Sequence, residues 1–294
     1  MRTILLTGRN GQVGWELQRT LAPLGRVIAL GSDQLDLADP DAVRKKVRDI
    51  APQIIVNAAA YTNVDKAESE PELAQAVNGV APGVLAEEAK RLDAWIVHYS
   101  TDYVFDGNKQ GAYLETDEPN PQNVYGKTKL AGEGAVRAAE GKHLILRTSW
   151  VYGARGRNFM LTMLRLAKER SELRVVDDQD GAPTWCRSIA EVTAQMLAQI
   201  HAPGTVRHEG GLAGTYHLTS SGSVSWHGFA QEIFDQANVE PCPNLIAIPS
   251  AEFPTPACRP NNSQLSNEKL NRTFGLSAGN WQDNLKLCCE EMNY

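Results

Sequence analysis

Strand-length apolar blocks recur through the first half of the chain, at residues 3–7, 26–30, 53–57, 94–100 and 143–148, each rich in Ile, Val or Leu. Between them, apolar positions fall at helical spacing over 15–24, 64–78 and 80–92, in a polar stretch beginning at Asp39-Pro40, and in a segment starting at Gln122 or Asn123. Near-continuous apolar strands alternating with amphipathic helices predict an α/β fold built on a doubly wound parallel sheet. Beyond Gly153 the rhythm loosens. Helices are expected over 158–171, 189–201, 225–237, 264–274 and 281–292, short strands over 173–176 and 215–219, and a Pro-rich loop from Pro241 to Pro260. The pattern predicts a large first lobe over 1–152, which also receives elements from about 173–219. A smaller, partly interleaved lobe over 153–294 closes over it.

The turn after the first block reads Gly8-Arg9-Asn10-Gly11-Gln12-Val13-Gly14. Strand, glycine-rich turn and helix in succession form the opening of a dinucleotide-binding βαβ unit. Its glycines permit a tight turn, close approach of the pyrophosphate to the backbone, and packing of helix on strand; the helix N-terminus then faces the phosphates. An NAD-preferring protein usually carries an acid at the end of the second strand for the ribose 2'-hydroxyl. Here Gly31-Ser32 stand at that place, with Asp33 slightly beyond. The gap leaves room for a 2'-phosphate to which Arg9 could offer charge, so NADPH is favoured over NADH; a solvated loop cation fits Arg9 nearly as well. Asp36 and Leu37 are placed against the adenine. The third block ends in Asn57-Ala58-Ala59-Ala60-Tyr61-Thr62, where small side chains admit either a ligand or a tightly packed helix. Ala60, Tyr61 and Thr62, and Tyr99 in the fourth block, are further candidate cofactor contacts.

Tyr125 and Lys129 stand four residues apart in Tyr-Gly-Lys-Thr-Lys. On a helix they share one face. A phenol ordinarily loses its proton near pH ~10 and a fixed cation beside it favours the phenolate, so the pair can act as an acid or base. Alone, the spacing also describes an ordinary exposed helix face. What changes the picture is Ser100-Thr101-Asp102 at the end of the fourth block, which brings a hydroxyl to the same edge of the sheet as the glycine loop.

Charge and cysteine usage narrow the partners. With 29 basic and 35 acidic residues, a formal charge of -6 and no basic block, a nucleic-acid partner is not expected. Anionic ligands must therefore be met by local groups. No stretch approaches a membrane span, and the apolar run before Gly8 is too short for a signal peptide. The five cysteines form no metal-binding spacing and read as reduced thiols, one of the adjacent Cys288 and Cys289 packed and the other not. A cytoplasmic address follows.

Seven segments in order carry a resemblance: residues 11–14, 57–62, 100–107, 125–129, 147–152, 178–184 and 259–263. They read Gly-Gln-Val-Gly, Asn-Ala-Ala-Ala-Tyr-Thr, Ser-Thr-Asp-Tyr-Val-Phe-Asp-Gly, Tyr-Gly-Lys-Thr-Lys, Arg-Thr-Ser-Trp-Val-Tyr, Asp-Gln-Asp-Gly-Ala-Pro-Thr and Arg-Pro-Asn-Asn-Ser. Together they resemble the extended short-chain dehydrogenase/reductases, and within them the family of dTDP-4-dehydrorhamnose reductases. The resemblance implies a hydride from NADPH or NADH to the C4 ketone of a nucleotide sugar. Tyr125 would give the proton, Thr101 would bond the same oxygen, and Lys129 would hold the nicotinamide ribose and keep the Tyr125 pKa low. It implies that Trp150 packs on the sugar or base and Asp102 contacts the sugar, with Arg259, Asn158 and Lys168 as candidates for the diphosphate or nucleotide. Read singly, Trp150 is more simply a core aromatic, and the other three are equally surface groups.

Family members described as metal-bridged dimers leave a divalent ion such as Mg possible; Glu16 occupies one suitable place, without a convincing set of partner acids, so the metal is unassigned and the state is monomer or homodimer. Related 4,6-dehydratases read Ser-Thr-Asp-Glu at the fourth strand end, and Tyr103 in the glutamate's place disfavours elimination. Epimerases keep the same Tyr/Lys pair, but the segments after residue 147 argue against that reaction. A weaker resemblance runs to the non-catalytic, NADP-binding regulatory subunit of methionine adenosyltransferase. The intact Thr101, Tyr125 and Lys129 set speaks for catalysis.

Overall fold

The structure, a computed structural model, describes residues 1–202 and 211–292. Along the chain run β1 (Thr3–Thr7), α1 (Gln12–Thr20), β2 (Arg26–Leu30), α2 (Pro40–Ile50), β3 (Ile54–Asn57), α3 (Val64–Ala67), α4 (Pro71–Gln75), α5 (Ala81–Arg91), β4 (Trp95–Thr101), α6 (Val124–Ala138) and β5 (Lys142–Thr148). There follow β6 (Val151–Tyr152), α7 (Phe159–Glu169), β7 (Glu172–Val176), β8 (Asp180–Gly181), β9 (Thr184–Trp185), α8 (Cys186–Ile200), β10 (Gly214–His217), β11 (Val224–Ser225), α9 (Trp226–Gln236), β12 (Asn244–Ile248), α10 (Glu268–Phe274) and α11 (Trp281–Met292).

Six strands form one sheet in the order β10-β5-β4-β3-β1-β2, and every pairing in it is parallel. Side chains alternate between its faces. Ile4, Leu6, Ile54, Val56, Val97, Leu144 and Leu146 pack toward α1 and α8. Leu5, Ile55, Ile96 and Ile145 pack toward α2 and α5. Burial on both faces explains why these blocks read as unbroken apolar runs. Since β2 and β3 flank β1, successive crossovers diverge there, and a crevice opens at the carboxyl ends of the strands.

The second lobe is organised differently. Its core collects aromatic and sulfur side chains from β6, α7, α9 and α11, among them Tyr152, Met160, Phe229, Phe234, Trp281 and Cys288. Two-stranded pairs β12-β7, β11-β8 and β6-β9 replace a continuous sheet. The lobes interleave: β10 is the edge strand of the main sheet, and α8 lays Ile189, Val192 and Met196 against Leu17 and Leu21. By contrast, β7 pairs with β12 in the second lobe.

Several expected boundaries shift for local reasons. The helix expected over 64–78 is broken, because Pro71 has no N–H to donate and starts a new helix, α4. A π turn then occupies Ala76–Val80. The Pro-rich loop from Pro241 to Pro260 contains a strand, β12, whose pairing with β7 is long-range. Cys288 and Cys289 are both buried, on the face α11 turns to the second lobe's core, where one had been expected outside. All five cysteines are free thiols. Among the described residues, no helix is long and apolar enough to cross a membrane.

Candidate active site

The glycine loop leads from β1 into α1. Gly8 has φ 75° and lies so close to the end of β3 that a Cβ there would stand 2.6 Å from the Ala59 nitrogen. A Cβ on Gly14 would stand 2.0 Å from the Gly8 carbonyl oxygen. Both positions therefore exclude a side chain. Gly11, at the N-cap, offers no side-chain cap, and the first turn of α1 carries no acid. The first-turn N–H groups of Gln12, Val13 and Gly14 thus have no partner within the helix, the arrangement that lets a helix N-terminus hold an anion.

At the end of β2, Gly31 leaves space filled by Asp33, Asn10 and Arg9. Arg9 Nη2 donates to Asp33 Oδ2 at 3.2 Å. The expected cation is thus present beside a carboxylate that also faces the strand end. Leu37 points its side chain into the core between the sheet and α2 rather than toward a ligand, and Asp36 accepts from the Ala38 N–H at 2.8 Å. Tyr99 also turns inward: its hydroxyl pairs with Thr193 at 2.7 Å in the α8-side core. Only its carbonyl serves the cleft. After β3, the Tyr61 hydroxyl donates to Glu70 at 2.6 Å, and Thr62 is exposed. The backbone of this loop is held by Asn78, whose amide spans the Tyr61 N–H and carbonyl at 2.9 and 3.0 Å. Asn78 lies on the π turn, a feature without a pattern in sequence, and it too was missed.

The acid/base group assembles where β4 meets α6. Asn123 caps α6 through the Gly126 N–H at 2.7 Å. Gly126 brings the helix against Tyr103: a Cβ there would stand 2.1 Å from the Tyr103 carbonyl oxygen. The Tyr103 and Tyr125 rings meet edge to face, centroids 5.7 Å apart. Thr101 Oγ1 donates to Asp102 Oδ1 at 2.9 Å and accepts from the Tyr103 N–H at 3.2 Å, and it lies close to the Tyr125 phenol. Lys129 Nζ donates to the Tyr99 carbonyl at 2.6 Å.

Burial governs the protonation of these groups. It pushes the Tyr125 phenol up to about 12, with Asp102 adding to the rise and the neighbouring Thr101 hydroxyl opposing it. Lys129 is not what sets this value, contrary to expectation; the surrounding protein outweighs any lowering by the ammonium. Lys129 is itself lowered to about 8 by burial, with Glu133 one turn on acting against the shift. Asp102 is raised to about 6, again by burial, and its Oδ2 has no partner. Tyr103 is raised further by burial and by the Asp102 charge.

Beneath α6 lies a buried ionic bracket that the sequence did not reveal. Glu133 accepts from Arg147 Nε and Nη2 at 2.8 and 2.7 Å, from Ser100 at 2.6 Å and from Arg137 at 3.1 Å. It joins α6, β4 and β5, the elements that carry Lys129, Thr101 and the approach to Trp150.

The second lobe supplies the opposite wall. Trp150 has φ 46° and its indole lies flat on that of Trp226, centroids 3.4 Å apart and planes 6° from parallel. Asn158 is not free for a diphosphate. It caps α7 through the Leu161 N–H at 2.9 Å and donates at 2.8 Å to Gln12 in the glycine loop and to the Gly153 carbonyl. Arg259 donates to Asp65 at 2.8 Å beside Tyr103, while its Nε lacks a partner. Lys168 is exposed in the last turn of α7. Glu16 is paired with Arg187 and Arg19, at 3.2 and 3.4 Å. Among the described residues, no group of His, Cys, Asp and Glu is arranged to hold a metal ion.

Known proteins resemble this chain over nearly its whole length. A dTDP-4-dehydrorhamnose reductase of Burkholderia thailandensis is 50% identical over 298 residues, covering 98% of both chains. A crystal structure of a dTDP-4-dehydrorhamnose reductase from Clostridium acetobutylicum superposes with a TM-score of 0.91 at 38% identity, covering 99% of this chain and 100% of that one. A dTDP-4-dehydrorhamnose reductase from Bacillus anthracis, solved in complex with NADP, gives a TM-score of 0.91 at 36% identity, with 99% of each chain covered. The model of the RmlD substrate binding domain matches residues 1–294, and the chain belongs to that family.

Proposed function

We propose that this chain is an NAD(P)H-dependent oxidoreductase that reduces the C4 ketone of dTDP-4-dehydro-L-rhamnose to give dTDP-L-rhamnose. The observation that carries the reading is the convergence of Thr101, Tyr125 and Lys129 at the mouth of the glycine-loop crevice. Bound in the crevice, a reduced nicotinamide supplies hydride to the ketone carbon.

Tyr125 is the proton donor. Held up at about 12, its phenol keeps its proton at neutral pH, yet an alkoxide is basic enough to take it. Thr101 lies against the same hydroxyl and orients it. Lys129 keeps most of its charge at neutral pH, with its pKa about 8; one of its three N–H groups donates to the Tyr99 carbonyl and the others are available to a ribose and the forming phenolate. Tyr103 stays neutral because burial raises its pKa further, so it cannot act as the base an elimination needs. Arg9 and the first turn of α1 favour a phosphate-bearing dinucleotide, with NADPH preferred over NADH.

The test is consumption of NADPH absorbance with dTDP-4-dehydro-L-rhamnose supplied by upstream enzymes. Stoichiometric formation of dTDP-L-rhamnose is expected. Folded protein that binds NADPH and leaves the ketone unreduced would sink the reading in favour of a non-catalytic NADP-binding subunit.

A further inference from the structure

Trp150 is held in two locally unfavourable ways. Its φ of 46° places a bulky residue in the left-handed region. Its indole stacks on Trp226 almost face to face, with 3.4 Å between centroids, where ring quadrupoles favour an offset or edge-on contact. Such an arrangement persists only when the surroundings over-determine it.

Those surroundings are specific. The Trp150 carbonyl accepts from the Thr184 N–H at 3.1 Å. Gly181 lies so near the indole that a Cβ there would stand 2.4 Å from Trp150 Cε2. In the β11-β8 pair, Val224 is opposite Gly181 and Ser225 opposite Asp180, which delivers Trp226, the next residue, to the same indole. Ser225 caps α9 through the Gly228 N–H at 3.0 Å and is anchored to Asp177. Phe159 packs on Trp226 at a tilt of 45°, centroids 4.6 Å apart, closing a cluster of three rings. Both indoles remain partly exposed, unlike the core aromatics Tyr152 and Phe229. The stack also adjoins the chemistry. Asp180 exchanges hydrogen bonds with the 261–263 backbone, at 2.8 Å from its N–H to the Asn261 carbonyl and 2.7 Å from the Ser263 N–H to its own carbonyl. The Ser263 side chain in turn lies close to Asp102, next to Thr101.

We propose that Trp226 is a positioning residue for the substrate: its indole, laid flat on Trp150, fixes the orientation in which Trp150 meets the sugar nucleotide. The inference rests on the proposed reaction and on Trp150 as a substrate contact within it. Trp226 acts through Trp150, so its loss weakens substrate binding while leaving the proton donor and the cofactor site in place.

A double-mutant cycle tests this. Trp226→Leu is expected to raise KM for dTDP-4-dehydro-L-rhamnose on the order of 10-fold, with kcat and KM for NADPH changed by less than about 2-fold. Trp226→Phe, which keeps an aromatic ring in the stack, is expected to recover most of the loss. In a Trp150→Leu background, Trp226→Leu adds less than about 2-fold, because the contact it served is already gone. Face-to-face indoles couple, so the wild type is expected to show an exciton couplet by circular dichroism that either single Leu variant abolishes. An unmoved KM in folded Trp226→Leu, independent losses that multiply in the double variant, or a wild type without the couplet would each overturn the role. If Trp226→Leu does not fold, the same cycle with Trp226→Phe, expected to cost about 3-fold, decides it. Reading dissociation constants for dTDP-L-rhamnose by fluorescence alongside the rates separates the questions. Wild type that binds without turnover counts against the reaction, whereas equal binding by wild type and Trp226 variants counts against Trp226 alone.

Discussion

Thr101, Tyr125 and Lys129 stand on two regular elements, β4 and α6, whereas Trp150, Trp226 and Phe159 come from three junctions between loops and short elements of the second lobe. On the first wall the polar atoms are buried and tied: Lys129 to the Tyr99 carbonyl, Thr101 to Asp102, and Glu133 to Arg147, Ser100 and Arg137. On the second, two indoles stack flat with a tilted phenyl against one of them, and Trp150 sits on a strained backbone. Chemistry needs donors at set distances, and a strand packed under a helix provides them through backbone hydrogen bonds. Recognition of a large ligand needs area, and rings supply it at low entropic cost because few torsions must be fixed.

The largest effect should come from the first wall. Tyr125→Phe removes the proton donor and is expected to lower kcat by ~10²–10⁴-fold, with cofactor affinity nearly unchanged. Steady-state kinetics paired with NADPH titration measures both, and near-normal turnover would show that the proton comes from elsewhere. Next is the bracket beneath it. Glu133→Gln leaves Arg147 buried with a weakened partner and should cost about 3 kcal/mol in denaturant unfolding. Because Glu133 raises the Lys129 pKa, the variant should also lose activity at lower pH than the wild type, whose rate is expected to fall as pH rises through about 8. A stability loss without a shift in that limb would separate the bracket from Lys129.

Asp102 gives a prediction of opposite sign. Its folded pKa is about 6 against 3.8, so the folded state binds more protons between these values. Stability then falls as pH rises through that window, and the cost is complete above about 6. Asp102→Asn should therefore be more stable than wild type at pH 7, by ~1–3 kcal/mol, and no more stable below pH ~4. Unfolding curves at the two pH values check this, and an equal difference at both would mean the gain is not electrostatic. The smallest effect is expected at the cofactor's edge. Arg9→Ala should raise KM for NADPH about 5-fold more than KM for NADH; equal changes would remove Arg9 from the 2'-phosphate site.

How much of the site could be read from residues alone follows the same division. The Tyr125–Lys129 spacing and the glycines of the loop were legible because helix periodicity and left-handed or crowded backbone positions are local properties. The side chains of Leu37 and Tyr99 turn into the core, and only the packed structure shows which way a side chain within a strand or in the loop beyond one points. Asn158 caps α7 and bonds Gln12, roles that sequence does not separate from a ligand contact because both ask for the same amide. Asn78, Glu133 and Trp226 escaped altogether, since each acts through partners brought near by folding.

By itself, the chain determined the parallel sheet, the turn that can cradle a pyrophosphate and the pairing of a phenol with an ammonium. Each depends on residues within one element or one turn, where backbone geometry dictates the outcome. Tertiary structure alone decided that burial, not Lys129, sets the protonation of Tyr125, and that Trp226 comes to rest on Trp150. Desolvation and ring stacking depend on how two lobes close on each other, and a linear pattern carries no record of that.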